Sequence, residues 1–293
     1  MGGTTMRRSL SLSSIKWVEF GRFFLLLVVA LVMLVPLLWT FVTSIKPEAL
    51  TLTYPPRWIP EKITFENYRE VWSRASLTAD IVFSRCFFNS TFLAIVTVFL
   101  TLIVASLAAY AFSRLKFPGR DFIFMVVLST LIVPGEIILI PLFMICYRLG
   151  WINSYNAVIF PGLGGAFGVF LLRQFFLTIP KELEEAARID GCGSFRILIT
   201  IILPLSKSAL AALAIFTFLG SWNNFVWPFV VLLDGSKMTL PVALAQFLNT
   251  GGNWSVYGKI MAAAGIASIP PILIFMFAQR QIISSIAITG LKG

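Results

Sequence analysis

Residues Phe23–Ile45 run without a single Asp, Glu, Lys or Arg, and a run of that kind has few ways to fold. About 20 apolar residues in a helix cross the ~30 Å hydrocarbon layer of a bilayer while pairing every backbone polar group internally. Further runs, each with at most one charged residue, follow at about Phe87–Phe112, Phe122–Cys146, Ala157–Thr178, Leu210–Leu232 and Ile260–Gln279. The expected fold is an all-α polytopic membrane protein with six transmembrane helices. Composition agrees: 12% of residues are charged, about half the share of a soluble domain.

The basic residues Arg7, Arg8, Lys16 and Arg22 precede the first run, as at the start of a signal peptide. The run is too long for one, and no A-x-A cleavage site follows, so it reads as an uncleaved first span. The chain then divides into an N-terminal segment 1–22, a six-helix membrane domain 23–283 and a tail 284–293. Six spans put both termini on one side. Lys and Arg gather on cytoplasmic loops. Arg114, Lys116 and Arg120 in one short loop, and Lys181, Arg188, Arg196 and Lys207 in another, place the N-terminus inside. The long segment 46–85 departs from this pattern, but acids accompany its basic residues, and long loops obey the rule less strictly.

Several function classes drop out. The chain has no histidine, which removes histidine-based metal sites and acid–base catalysis. Cys86, Cys146 and Cys192 stand too far apart for a CxxC pair, so neither a zinc site nor a disulfide framework is expected. The net charge of +10 belongs to membrane topology, since no basic, aromatic nucleic-acid module accompanies it. No GxxxxGK[ST] loop is present to cradle phosphates; Gly235-Ser236-Lys237 lacks the spacing.

The polar stretch 179–207 between the fourth and fifth spans has internal order. Pro180 suits the first turn of a helix, and Glu182, Glu184 and Glu185 complement its dipole. Glu184 and Arg188 have the favourable i, i+4 order. Gly191 can stop the helix in a left-handed cap, and a second short helix of about Ser194–Leu203 leads to Pro204. Ala186 and Ala187 would give the first helix a flat face open to another protein. These features alone are equally compatible with an ordinary solvated loop.

The residue pattern decides between them. Glu185-Ala186-Ala187, then Gly191, Ile201 and Leu203-Pro204, matches at every position the EAA–G–I–LP loop of bacterial ABC-importer permeases. The chain resembles the carbohydrate-uptake branch of that family, the maltose-type second permease, over nearly its full length. Supporting segments are Ala109–Arg114, Leu171–Phe176, Ile189-Asp190-Gly191, Trp222-Asn223-Asn224-Phe225 with Pro228, and Gln279-Arg280 through Gly290–Gly293. The resemblance implies a sister permease, two ATP-binding subunits that hold ATP and Mg, and an extracytoplasmic substrate-binding protein. Surrounding lipid would complete the assembly, in a bacterial inner membrane with both termini cytoplasmic. This chain would bind no cofactor, metal or nucleic acid and would have no catalytic residue of its own. Its loop would be a coupling helix seated on an ATPase through Glu185, Ala186, Ala187, Arg188, Asp190 and Gly191.

Polar groups at membrane depth are costly and face a pore or a partner. Glu136 lies about 22 Å of helix beyond Asp121, and Asn223 about the same depth beyond Lys207. With Trp222 and Asn224 they form a candidate layer for a sugar, offering donors, acceptors and a stacking ring. Helix–helix bonding and the interface with a sister subunit remain open for the same residues. Arg173 is expected to snorkel to headgroups, and Gly162, Gly164, Gly165 and Gly168 to allow close helix packing. Within the resemblance, glycerol phosphate or a polyol is the alternative solute. A stand-alone secondary transporter fits less well, as the sequence shows neither internal repeats nor paired membrane acids.

Overall fold

The computed structural model describes the backbone of residues 12–74, 81–250 and 257–290, with side chains over 19–73, 81–247 and 257–279. Arg7, Arg8 and residues 291–293 lie outside the described residues. The described chain is helical and contains no strand. In order the helices are α1 (Leu12–Ser44), α2 (Glu66–Arg74), α3 (Phe83–Arg114), α4 (Arg120–Ser129), α5 (Gly135–Arg148), α6 (Tyr155–Ile159) and α7 (Ala166–Thr178). They continue as α8 (Glu182–Ile189), α9 (Ser194–Ile197), α10 (Leu203–Leu205), α11 (Lys207–Trp222), α12 (Val226–Val231), α13 (Leu240–Thr250) and α14 (Tyr257–Gly290).

Three stretches, Glu19–Ser44, Phe83–Arg114 and Tyr257–Gln279, are long and apolar enough to span a membrane as single helices. Three bent pairs bring the number to six if each pair is one span: Arg120–Ile132 with Gly135–Arg148, Tyr155–Gly162 with Ala166–Thr178, and Ser194–Leu205 with Lys207–Trp222. Their bends are 105°, 40° and 82°. The first has a visible cause. Pro134 takes an extended ψ of 134° and starts α5 as its N-cap, so the helix of α4 cannot run through it.

The fifth span differs from the expected Leu210–Leu232. Here α11 stops at Trp222, residues 223–225 are irregular, and α12 resumes at Val226. Pro180 also stands outside its helix, since α8 begins at Glu182 with Lys181 as N-cap. Residues 194–205 are helical throughout, with a π-helical turn over Leu198–Ile202. At the ends of the chain, α1 reaches back to Leu12 and α14 on to Gly290, so both terminal segments are partly helical.

Helices in lipid gain nothing from hiding apolar surface from water, so close packing has to hold them together. Small residues provide it. Ala94, Ala105, Ala109, Ala209, Ala212, Ala262 and Ala263 are all buried where α3, α7, α11 and α14 meet. Among the four glycines of the fourth span, Gly168 makes the tightest approach: a methyl there would stand 3.1 Å from Leu213 Cδ1 and 3.3 Å from Ala105 Cβ. The other three glycines of that stretch have no such neighbour, and Gly162 and Gly165 flank the bend between α6 and α7. Arg173 has partners within the protein. Its Nε donates to the Phe112 carbonyl at 3.2 Å, and its guanidinium lies 4.2 Å from the centre of the Phe124 ring. A carbonyl and an aromatic face thus both hold this cation.

The ends of the bundle differ. At one, Lys46 is buried, donating to the Arg57 carbonyl at 2.5 Å and lying over the Trp39 ring; burial pulls its ammonium below the usual lysine pKa. Glu48 accepts the Gly258 N–H at 3.0 Å, setting a carboxylate at the start of α14 where the helix dipole favours it. The opposite end carries α8 and the turn between α3 and α4.

Candidate functional site

Helix α8 is short, acidic and two-faced. Glu184 and Ala187, three residues apart, are its only buried residues, at 5% and 8% exposure. Leu183, Ala186 and Ile189 repeat at the same spacing on another face and are exposed, Ile189 at 87%. Side chains three apart share a helix face, so one side of α8 fastens inward and the other is left uncovered. The two alanines therefore do not form one flat surface. Ala187 packs into the core with Ile179 and Ile197, while Ala186 faces out.

The far end of α8 closes as a Schellman turn. Gly191 N–H donates to the Arg188 carbonyl at 3.0 Å and Cys192 N–H to the Ala187 carbonyl at 2.9 Å. Such a turn needs a residue in the left-handed region, and Gly191 supplies it at φ +79°. Glu185, Arg188, Asp190 and Gly191 are all exposed, so five of the six sequence-selected residues, counting Ala186, lie on open surface. Phe195, 66% exposed at the start of α9, adds an apolar side chain beside them.

The structure also makes a pairing that the sequence reading missed. Arg114, read as a loop charge and as the end of the Ala109–Arg114 segment, and Glu184, matched there to Arg188, form a buried ion pair at 2.9 Å between Nε and Oε1. Neither of these two atoms makes a hydrogen bond. Arg114 also donates through Nη2 to the carbonyls of Phe176 and Ile179, the latter at 2.6 Å. The Tyr110 hydroxyl reaches Glu184 Oε2 at 3.5 Å.

The candidate pathway residues sit at helix interruptions. Glu136 occupies the first turn of α5, directly after the 105° bend, is exposed, and has no ion pair among the described residues. Asn223 caps α11, its Nδ2 donating to the Leu219 carbonyl at 2.9 Å. Asn224 follows in the irregular link, half-buried. Trp222 is different, at 2% exposure, with its indole bonded to the Ala267 carbonyl, stacked on Phe218 and edge-on to Phe87. Among the described residues no hydrogen bond joins Glu136 to this group.

Apolar spans interrupted by bends, with a two-faced helix at one end, make this a polytopic membrane protein. The chain belongs to the family of binding-protein-dependent transport system inner membrane components, whose family model matches residues 99–288. It is 37% identical over 271 residues to the arabinooligosaccharides transport system permease protein AraQ of Halalkalibacterium halodurans, covering 90% of this chain and 93% of that one. The AraQ protein of Bacillus subtilis strain 168 is 36% identical, covering 96% and 97%. The sn-glycerol-3-phosphate transport system permease protein UgpE of Yersinia enterocolitica is 32% identical, covering 87% and 91%. A chain from the crystal structure of a bacterial ABC transporter involved in the import of the acidic polysaccharide alginate superposes with a TM-score of 0.81 at 26% identity, covering 92% and 98%. The chain is thus a multi-pass transport permease of a bacterial inner membrane that works with other transporter subunits.

Proposed function

We propose that this chain is a membrane-spanning subunit of an ATP-driven carbohydrate importer, and that α8 is its docking helix for a separate ATP-binding subunit. The observation that carries the reading is the two-faced α8. Its outer stripe of Leu183, Ala186 and Ile189 is apolar, which calls for a partner. The same helix carries Glu182, Glu185 and the adjacent Asp190, which anionic lipid headgroups would repel. A protein cleft with apolar walls and basic edges fits both properties, and charge-assisted bonds to Glu185 and Asp190 would fix the orientation.

In this reading α8, its glycine turn and both termini are cytoplasmic. Two ATP-binding subunits hold ATP and Mg, a sister permease completes the pathway, and an extracytoplasmic binding protein delivers solute. Closure of the ATPases moves α8, and the spans rock as rigid bodies between inward- and outward-open states. Glu136, Asn223 and Asn224 line the pathway, because irregular backbone at membrane depth is tolerated where it is buried in protein or lines a water-filled cavity. Trp222 acts behind them as a support.

Two of the relatives are named for arabinooligosaccharides and the solved transporter for a polysaccharide, which supports a sugar. The alternative, glycerol phosphate, has the support of the UgpE relatives. Its phosphate would call for a cation, yet neither 130–140 nor 219–229 contains a Lys or Arg, so a carbohydrate is preferred. The test is Ile189→Asp in the complete complex in native membranes. The docking reading expects the ATP-binding subunits to be lost on purification and uptake to stop, with the chain still inserted. Full retention of both would overturn it.

A further inference from the structure

We propose that Arg114 is a positioning residue that converts movement of α8 into movement of the spans, acting through its buried ion pair with Glu184. This rests on the reading of α8 as the ATPase-docking helix. It names the place where force would leave that helix.

A helix tied to a bundle only by its connecting chain can swivel without moving the bundle. The link after α8 invites this, since Gly191 and Gly193 fall within four residues of its end. Of the two inward side chains, Ala187 offers a methyl group, which resists compression but can slide. Glu184 offers a charge at fixed distance from a cation, with side-chain exposures of 6% for Glu184 and 3% for Arg114. Water is nearly absent there, so the attraction is weakly screened and lateral displacement is opposed in every direction.

The guanidinium is bound on three sides. Its own backbone ends α3; its Nη2 holds the carbonyls of Phe176 and Ile179, at and just past the end of α7; its Nε faces Glu184 on α8. The last carbonyls of a helix have no partner within the helix, so Arg114 meets a need of α7 while anchoring α8. One rigid planar group thereby ties α3 and α7 to α8. A lysine could keep the charge, but its single ammonium lacks the fork needed to serve three directions at fixed geometry. The Tyr110 hydroxyl, one turn back on α3, steadies the second carboxylate oxygen.

The experiment uses the whole complex reconstituted with its binding protein, measuring solute transported per ATP hydrolysed and retention of the ATP-binding subunits. Arg114→Lys and Glu184→Gln should keep those subunits bound and lower the transport-to-hydrolysis ratio about tenfold. Tyr110→Phe, which removes one hydroxyl, should lower it less. Because the pair acts as a unit, the Arg114→Lys/Glu184→Gln double variant should be no worse than either single; independent structural damage would add. An unchanged ratio in Glu184→Gln overturns the proposal, and so does loss of its ATP-binding subunits, which would make the pair a shaper of the docking surface. Ala186→Arg is the separate arm, because it crowds the outer face of α8 and leaves the ion pair alone. If Ala186→Arg leaves binding and coupling intact, the docking reading fails, whatever the Arg114 variants show.

Discussion

The indole N–H of Trp222 donates to the carbonyl of Ala267 at 3.1 Å, fastening the end of α11 to α14 just before the chain becomes irregular at Asn223. The ring is a brace behind the polar break. Trp222→Phe keeps an aromatic ring against Phe87 and Phe218 but loses the donor, and should cost about 1 kcal/mol of stability. Trp222→Ala opens a cavity and should cost about 3–5 kcal/mol. Thermal melting of the purified complex would show the two steps, and uptake by Trp222→Phe should stay near wild type.

Gly168 lets α7 touch both α3 and α11. Gly168→Ala should cost about 1–3 kcal/mol, the usual penalty for an overpacked contact, because Leu213 has to give way. Gly168→Leu would push the helices apart and should prevent assembly. Membrane yield and melting temperature of the two variants check this, and equal behaviour of both would contradict the packing.

Glu136 stands exposed at the start of α5, and Asn223 exposed at the end of α11. If they line the pathway, Glu136→Gln and Asn223→Ala should each change the KM or rate of uptake by about 2- to 10-fold, the worth of one hydrogen bond. Unstimulated ATP hydrolysis should be unaffected. Identical uptake kinetics with every solute tested would remove both from the pathway.

Chain length against bilayer thickness made six apolar stretches legible, because hydropathy reports what each segment dissolves in. It does not report dihedral angles. The break at Asn223–Phe225 was therefore invisible inside an apolar run that continues from Val226 to Leu232, whereas Pro134 carried its warning in its ring. The turn after α8 was legible for a similar reason: only glycine adopts φ +79° without strain. The partner of Glu184 was not. Sequence offers the neighbour four residues on, Arg188, but Arg114 is 70 positions away, and only the convergence of α3 and α7 brings it within 2.9 Å. The partners of Arg173 were hidden for the same reason, since only the fold brings the Phe124 ring under it.

In the proposed mechanism α8, shaped and held by its glycine turn, passes ATP-driven movement to the spans, and Gly191 tests this most directly. Gly191→Ala asks an L-residue to hold φ +79° and should cost about 1–2 kcal/mol, with a partial loss of uptake. Gly191→Pro cannot adopt that angle and has no N–H for the Arg188 carbonyl, so the turn itself is lost. Measured as ATP-linked uptake into vesicles holding equal amounts of inserted complex, Gly191→Pro should give none. Uptake at the wild-type rate would contradict the account.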